Sequence, residues 1–178
     1  AGFYDPWYVQ YYNWITNAIQ GDFGKSYTYS MPVADLIGFR AMNTLWLSLL
    51  SVVLLYLIAI PLGVLAGRFQ DTFLDKTIVL YSFVTYAIPT FVLGLLALFF
   101  FGYHLGWFPT AGTVDIKYEE GTLGYVWNRI YHMLLPAMTY AILGTTAVIQ
   151  YLRSEIIDAK SMDYVRTARS KGIPIKKV

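Results

Sequence analysis

The chain has 178 residues, 57% of them hydrophobic and 13% charged, with a formal net charge of +2 and no cysteine. A soluble domain carries about 25% charged residues, so a water-exposed globule is a poor fit. The lack of cysteine excludes a disulfide scaffold and a thiolate metal site within these residues. Residue 1 is alanine and the first 20 residues lack a basic, signal-like start, which reads as a fragment or a processed chain.

In chain order, "DPWYVQYYNWITNAIQG" at 5–21 predicts a helix. Asp5 can cap it, Pro6 suits its first turn and Gly21 suits its stop. Trp7, Tyr8, Tyr11, Tyr12 and Trp14, with Phe3 and Tyr4 just before, are residue types that settle at a membrane–water interface. An interfacial helix is the first reading, and a surface for an extracellular partner the second. "GKS" at 24–26 invites comparison with the phosphate-binding pattern G-x-x-x-x-G-K-[ST]. That pattern needs glycine where Ile19 stands and a strand before it, so no nucleotide site is assigned.

Three runs carry no Asp, Glu, Lys or Arg: 41–67, 77–114 and 130–152. A helical bilayer crossing needs about 20 mostly apolar residues, because lipid leaves bare backbone groups unsatisfied. Spans are predicted near 43–67, 77–101 and 133–153, giving an all-α, polytopic membrane fold. The first holds Pro61 and "GVLAG" at 63–67, where Gly63 and Gly67 permit close helix contact. The second holds Pro89, which removes a helix hydrogen bond and predicts a kink.

Seven of the thirteen basic residues lie from Arg153 onward: Arg153, Lys160, Arg166, Arg169, Lys171, Lys176 and Lys177. The positive-inside rule therefore places the tail in the cytoplasm. Residues 68–76 then lie inside, 1–42 and 102–132 outside, and a further span is expected before residue 1. In the loop 102–132, Glu119 and Glu120 read as a solvated tip. His104 and His132 have no metal-ligand spacing. No nucleophile–base pair stands out, and the spans carry no acid or base of the kind proton-coupled carriers use. Ser82, Thr85, Thr139 and Thr145 are the polar span residues from which a pathway lining could be drawn.

The tail "DYVRTARSKGIP" at 163–174 predicts a short helix from about Tyr164 to Lys171. Asp163 can cap it, Gly172 suits a left-handed stop and Pro174 follows. Tyr164, Val165, Ala168 and Gly172 fall close to one face, while Arg166, Arg169 and Lys171 occupy the remainder. Spacing alone leaves two readings open: a knob that docks on another protein, or a positive anchor on anionic lipid.

Four stretches carry a family resemblance: "GDFGKSYTYSMPVADLI" at 21–37, "TLWLSLLSVVLLYLIAIPLGVLAG" at 44–67, "IPTFVLGLLALFFFGYHLGWFPTAG" at 88–112 and "DYVRTARSKG" at 163–172. Together they resemble the permease subunit of bacterial ABC importers, in the oligopeptide/dipeptide and nickel branch. The last stretch departs from the general E-A-A-x-x-x-G loop at Arg166 and Thr167, keeping Ala168 and Gly172, and is similar to the branch's own version of it.

The resemblance implies a multi-pass subunit of the bacterial plasma membrane, not itself an enzyme, with an external segment 1–42, a transmembrane region 43–153 and a cytoplasmic coupling segment 154–178. It further implies that Asp163, Tyr164, Val165, Arg166, Thr167, Ala168 and Gly172 form a coupling helix for a cytosolic ATPase. No cofactor is expected in this chain, ATP and magnesium belonging to the ATPase. The implied partners are that ATPase, a second permease subunit, an external substrate-binding protein and membrane lipids, with no nucleic acid. Peptide uptake by alternating access is the implied function, although relatives also carry nickel chelates, glutathione and some sugars. The resemblance also implies missing helices on either side, making the chain an internal fragment. The rival reading is a channel or scaffold subunit with a lipid-anchoring tail. A membrane enzyme is a weaker third.

Overall fold

A computed structural model describes residues 4–173; Phe3, Pro174, Lys176 and Lys177 lie outside the described residues. Six α-helices follow in order: α1 (Trp7–Ile19), α2 (Val33–Arg68), α3 (Phe73–Ala87), α4 (Thr90–Ala97), α5 (Leu123–Ser161) and α6 (Asp163–Ser170). A π-helical stretch, Leu98–His104, continues α4. No strand occurs among the described residues, so the fold is all-α. The chain divides into two compact units between Trp46 and Leu47.

In the first unit, Pro6 rather than Asp5 is the N-cap of α1, and no side chain caps that end. Pro6 has φ −54° and ψ 145°, so the chain turns helical one residue later than expected. Gly21, at φ +88°, closes the helix, and Asp22 N–H donates to the Asn17 carbonyl at 2.9 Å, as in a glycine C-terminal stop. None of the α1 residues is buried, and its Trp and Tyr side chains are exposed. The segment with "GKS" is a loop closed by backbone bonds from Ser26 to Met31 and from Val33 to Gly24, both 2.9 Å. Its geometry is a turn leading into α2, with no strand before it.

In the second unit the helices gather around α5. Helices α2 and α5, of 36 and 39 residues, are long and apolar enough to cross a membrane. At about 1.5 Å per residue, α5 extends roughly 58 Å, well beyond a hydrocarbon core of about 30 Å. It begins at Leu123, ten residues before the expected start at 133, because Thr122 accepts a bond from Tyr125 N–H and caps it there.

The single kinked span expected over 77–101 is two helical pieces. Ile88 is extended (φ −83°, ψ 121°) and Pro89 also lies outside helical space, so α3 ends at Ala87 and α4 starts at Thr90. The pieces meet at 99°. Proline crowds the residue before it out of the α region, which converts a missing hydrogen bond into a break.

Candidate functional site

The basic tail helix begins immediately beyond α5. Met162 alone separates them; its φ −68° and ψ 150° turn the chain through a one-residue corner. Met162 is thereby the N-cap of α6 and Asp163 its first residue, so the expected Asp163 side-chain cap is absent. The Asp163 carboxylate sits in the first turn, where the helix dipole favours a negative charge, 3.8 Å from Arg166. At the far end Gly172 has φ +73°. Ile173 N–H donates to the Ala168 carbonyl at 3.2 Å and Gly172 N–H to that of Arg169 at 2.9 Å. These paired bonds stop the helix at a glycine in the left-handed region.

The expected apolar face of α6 is divided by the structure. Val165 is 8% exposed and packs inward at the α5–α6 corner, and Ala168 is half-buried. Tyr164 is 65% exposed, and Arg166, Thr167, Arg169, Ser170 and Lys171 are exposed with it. The side open to a partner is therefore aromatic, basic and hydroxylic, whereas Val165 holds the helix to its own chain. Burial of Val165 at the one-residue corner supplies packing that so short a polar helix needs, since isolated helices of this length are unstable in water.

Three ties fix the part of α5 that leads into α6. The first is close backbone contact. Ala59, Gly63, Ala66 and Gly67 of α2 are all buried, at i, i+4, i+7 and i+8. A Cβ at position 63 would stand 2.9 Å from Leu152 Cβ, and one at 67 would stand 2.7 Å from Ile156 Cβ and 3.1 Å from the Arg153 carbonyl oxygen. Only hydrogen fits there. Pro61 lies inside α2, two residues from both Ala59 and Gly63, on the side away from this stripe, and is exposed.

The second tie is ionic. Arg153 Nε donates to Asp75 Oδ1 at 2.6 Å and Nη2 to Oδ2 at 2.8 Å, a bidentate pair. Asp75 is 2% exposed. It sits in the first turn of α3, where Thr72 Oγ1 caps its N–H at 3.4 Å and Asp75 Oδ2 accepts from Asp71 N–H at 2.9 Å. The third tie is a capping bond: Lys160 Nζ donates to the carbonyls of Gly67 at 3.2 Å and Arg68 at 3.1 Å, the last turn of α2.

Further along, α3 and α5 are stitched by hydroxyls. Tyr81 Oη and Thr145 Oγ1 are 3.0 Å apart, Thr85 Oγ1 and Thr146 Oγ1 2.9 Å, and Thr146 Oγ1 donates to the Ser82 carbonyl at 3.1 Å. Ser82, Thr85 and Thr145 are buried in this seam and bonded to carbonyls of their own helices. Thr139 is bonded to the Leu135 carbonyl at 3.0 Å and borders a cavity. That cavity, of about 740 Å³, lies between α4, residues 109–112 and α5. Phe91, Pro109, Thr110, His132 and Tyr140 are among its walls. His132 is buried; its Nδ1 is 2.9 Å from the Asn128 carbonyl, and its Nε2 lies 3.8 Å from Asp115 Oδ1. Asn128 in turn accepts from Asp115 N–H and donates to its carboxylate, which pins the 105–122 loop onto α5. Among the described residues no group of acidic and histidine side chains is placed to hold a metal.

Residues 59–178 match the family described as "Binding-protein-dependent transport system inner membrane component". The chain belongs to this family. Similar relatives include the oligopeptide transport system permease protein AppB of Bacillus subtilis (strain 168), 40% identical over 99% of this chain and 55% of its own length. The glutathione transport system permease protein GsiC of Escherichia coli (strain K12) is 33% identical over 97% of this chain and 52% of its own length. The chain thus spans about half the length of the curated relatives it matches. It is an all-α inner membrane component of a bacterial transport system, and its relatives are permease subunits rather than enzymes.

Some of the side chains that tie these helices carried little or no sequence signal. Asp75 and Arg153 stand 78 positions apart, each at the margin of a charge-free run. That marginal placement was the one available hint. Asn128 and Asp115 gave none.

Proposed function

We propose that this permease component forms part of a translocation pathway for peptides and is driven by a cytosolic ATPase seated on α6. The observation that carries the reading is the division of α6: Val165 holds it to its own chain while Tyr164, Arg166, Thr167 and Arg169 face outward. A lipid anchor has no need of a fixed orientation; a docking helix has. The Lys160 bonds to Gly67 and Arg68 support a common side for the α2–α3 turn and the α5–α6 corner, as positive-inside placement in the cytoplasm requires. Peptides are favoured as cargo because AppB is named for oligopeptides and GsiC for glutathione, itself a tripeptide. A second permease subunit and an external substrate-binding protein complete the assembly. ATP and magnesium sit on the ATPase.

The test is a photo-crosslink. The full-length subunit, carrying Tyr164→Cys labelled with a benzophenone maleimide, is expressed with the ATPase encoded beside it. A crosslink to the ATPase whose yield changes with nucleotide supports the reading. Crosslinks to anionic lipid alone, with no ATPase adduct, favour a channel or scaffold with an anchoring tail.

A further inference from the structure

We infer that Asp75, Arg153 and Lys160 are positioning residues that make the α2–α3 turn and the α5–α6 corner one rigid body, so that displacement of α6 reaches α2 and α3 directly. The inference rests on the docking reading above but assigns a task to residues outside α6.

Without the ties of Asp75, Arg153 and Lys160, a push on α6 would reach α3 only through the hydroxyl seam farther along α5. The corner is a single residue, Met162, and α5 is long enough to bend. Arg153 lies nearly three turns before α6 and Lys160 about one turn before it. Each reaches a different neighbour. Arg153 grips the first turn of α3 through two charged bonds at 2.6 and 2.8 Å. Lys160 grips the last turn of α2 through the Gly67 and Arg68 carbonyls. Between them, Gly67 lets the α2 backbone come so near α5 that a Cβ would stand 3.1 Å from the Arg153 carbonyl. The grips therefore fall on one short stretch of α5, on both sides of the turn that joins α2 to α3.

The bidentate geometry matters. A single point charge lets the partner swivel, whereas a planar guanidinium on a carboxylate fixes direction as well as distance. The carboxylate is itself held by Asp71 N–H, so the turn between α2 and α3 is included in the body. Bistable packing, not continuous bending, is how small shifts at one site become helix movements at another.

The test replaces the pair together, as Asp75→Cys with Arg153→Cys in the full-length subunit freed of other cysteines and assembled with its ATPase. Removing both members strands no buried charge. Uptake per ATP hydrolysed is then measured with and without a short bis-methanethiosulfonate bridge across the two positions. The clamp predicts that the unbridged complex keeps its ATPase but loses at least fivefold in uptake per ATP, and that bridging restores it to within twofold of wild type. Unchanged coupling without the bridge would overturn the proposal. So would a bridged complex that stays uncoupled, since the tie would then have to open during the cycle. Loss of the ATPase from the unbridged complex, regained on bridging, would move the pair's task from transmission to docking and also overturn it. A wild-type complex that holds no ATPase would instead sink the docking reading, before any substitution is made.

Discussion

Where α5 approaches α6 it is held by small residues and ions: the buried Ala59, Gly63, Ala66 and Gly67 stripe, the Asp75–Arg153 pair and the Lys160 cap. Farther from α6 it is held by hydroxyls, in the Tyr81–Thr145 and Thr85–Thr146 contacts. The first kind of contact has one solution, because a guanidinium has one good way to meet a buried carboxylate and a glycine seam has no slack. The second has several, because each threonine also bonds a carbonyl of its own helix or its neighbour's. A chain that transmits motion from one end can use both: a stiff corner near the force and a seam that can re-register beyond it.

The stiff corner should break first and hardest. Arg153→Ala leaves the Asp75 carboxylate, 2% exposed, with the Asp71 N–H bond and the more distant Lys160 charge but without its guanidinium partner. Stranding one member of a buried pair costs about 3–5 kcal/mol, so the full-length subunit should lose much of its folded yield in detergent. Size-exclusion recovery after heating would report it, and a wild-type profile would contradict the clamp's energetics. Gly67→Val comes next. Its Cβ would meet Ile156 at 2.7 Å and a backbone oxygen at 3.1 Å, and backbone cannot rotate away. Overpacking of this kind costs about 1–3 kcal/mol, so the melting midpoint should fall, whereas at Gly38 of α2, where a Cβ meets nothing within 4 Å, alanine should hold or raise it, glycine being the poorer helix former.

The hydroxyl seam should yield least. Thr85→Val and Thr146→Val each remove a contact worth about 0.6 kcal/mol in a membrane. In a double-mutant cycle the coupling between them should be of that size. A coupling of several kcal/mol would erase the contrast between the two seams.

How far the sequence foretold this follows the same division. The charge-free runs and the G-x-x-x-G pattern depend on local composition, and "GVLAG" lies inside α2 where Leu152 and Ile156 of α5 approach its glycines too closely for a Cβ. The partner face, Leu152 and Ile156, could not be read, because it depends on which helices meet. Pro89 announced a disturbance, but whether a proline bends or breaks a helix depends on where the freed carbonyls find partners, and here the pieces diverge by 99°. Asp163 had the chemistry of a cap, yet the N-cap position fell to Met162 because α5 runs on to Ser161 and leaves a single residue for the corner. On α6 the helical spacing grouped Val165 with Tyr164. The structure separates them because the corner turns Val165 inward.

That separation is the most direct point of attack. Tyr164→Cys and Val165→Cys would be labelled with a membrane-impermeant maleimide in inside-out vesicles, with and without the ATPase. The account predicts that Cys at 164 reacts when the ATPase is absent and is protected when it is present, while Cys at 165 is protected in both. Free labelling at 165, or protection at 164 by lipid without any ATPase, would contradict it.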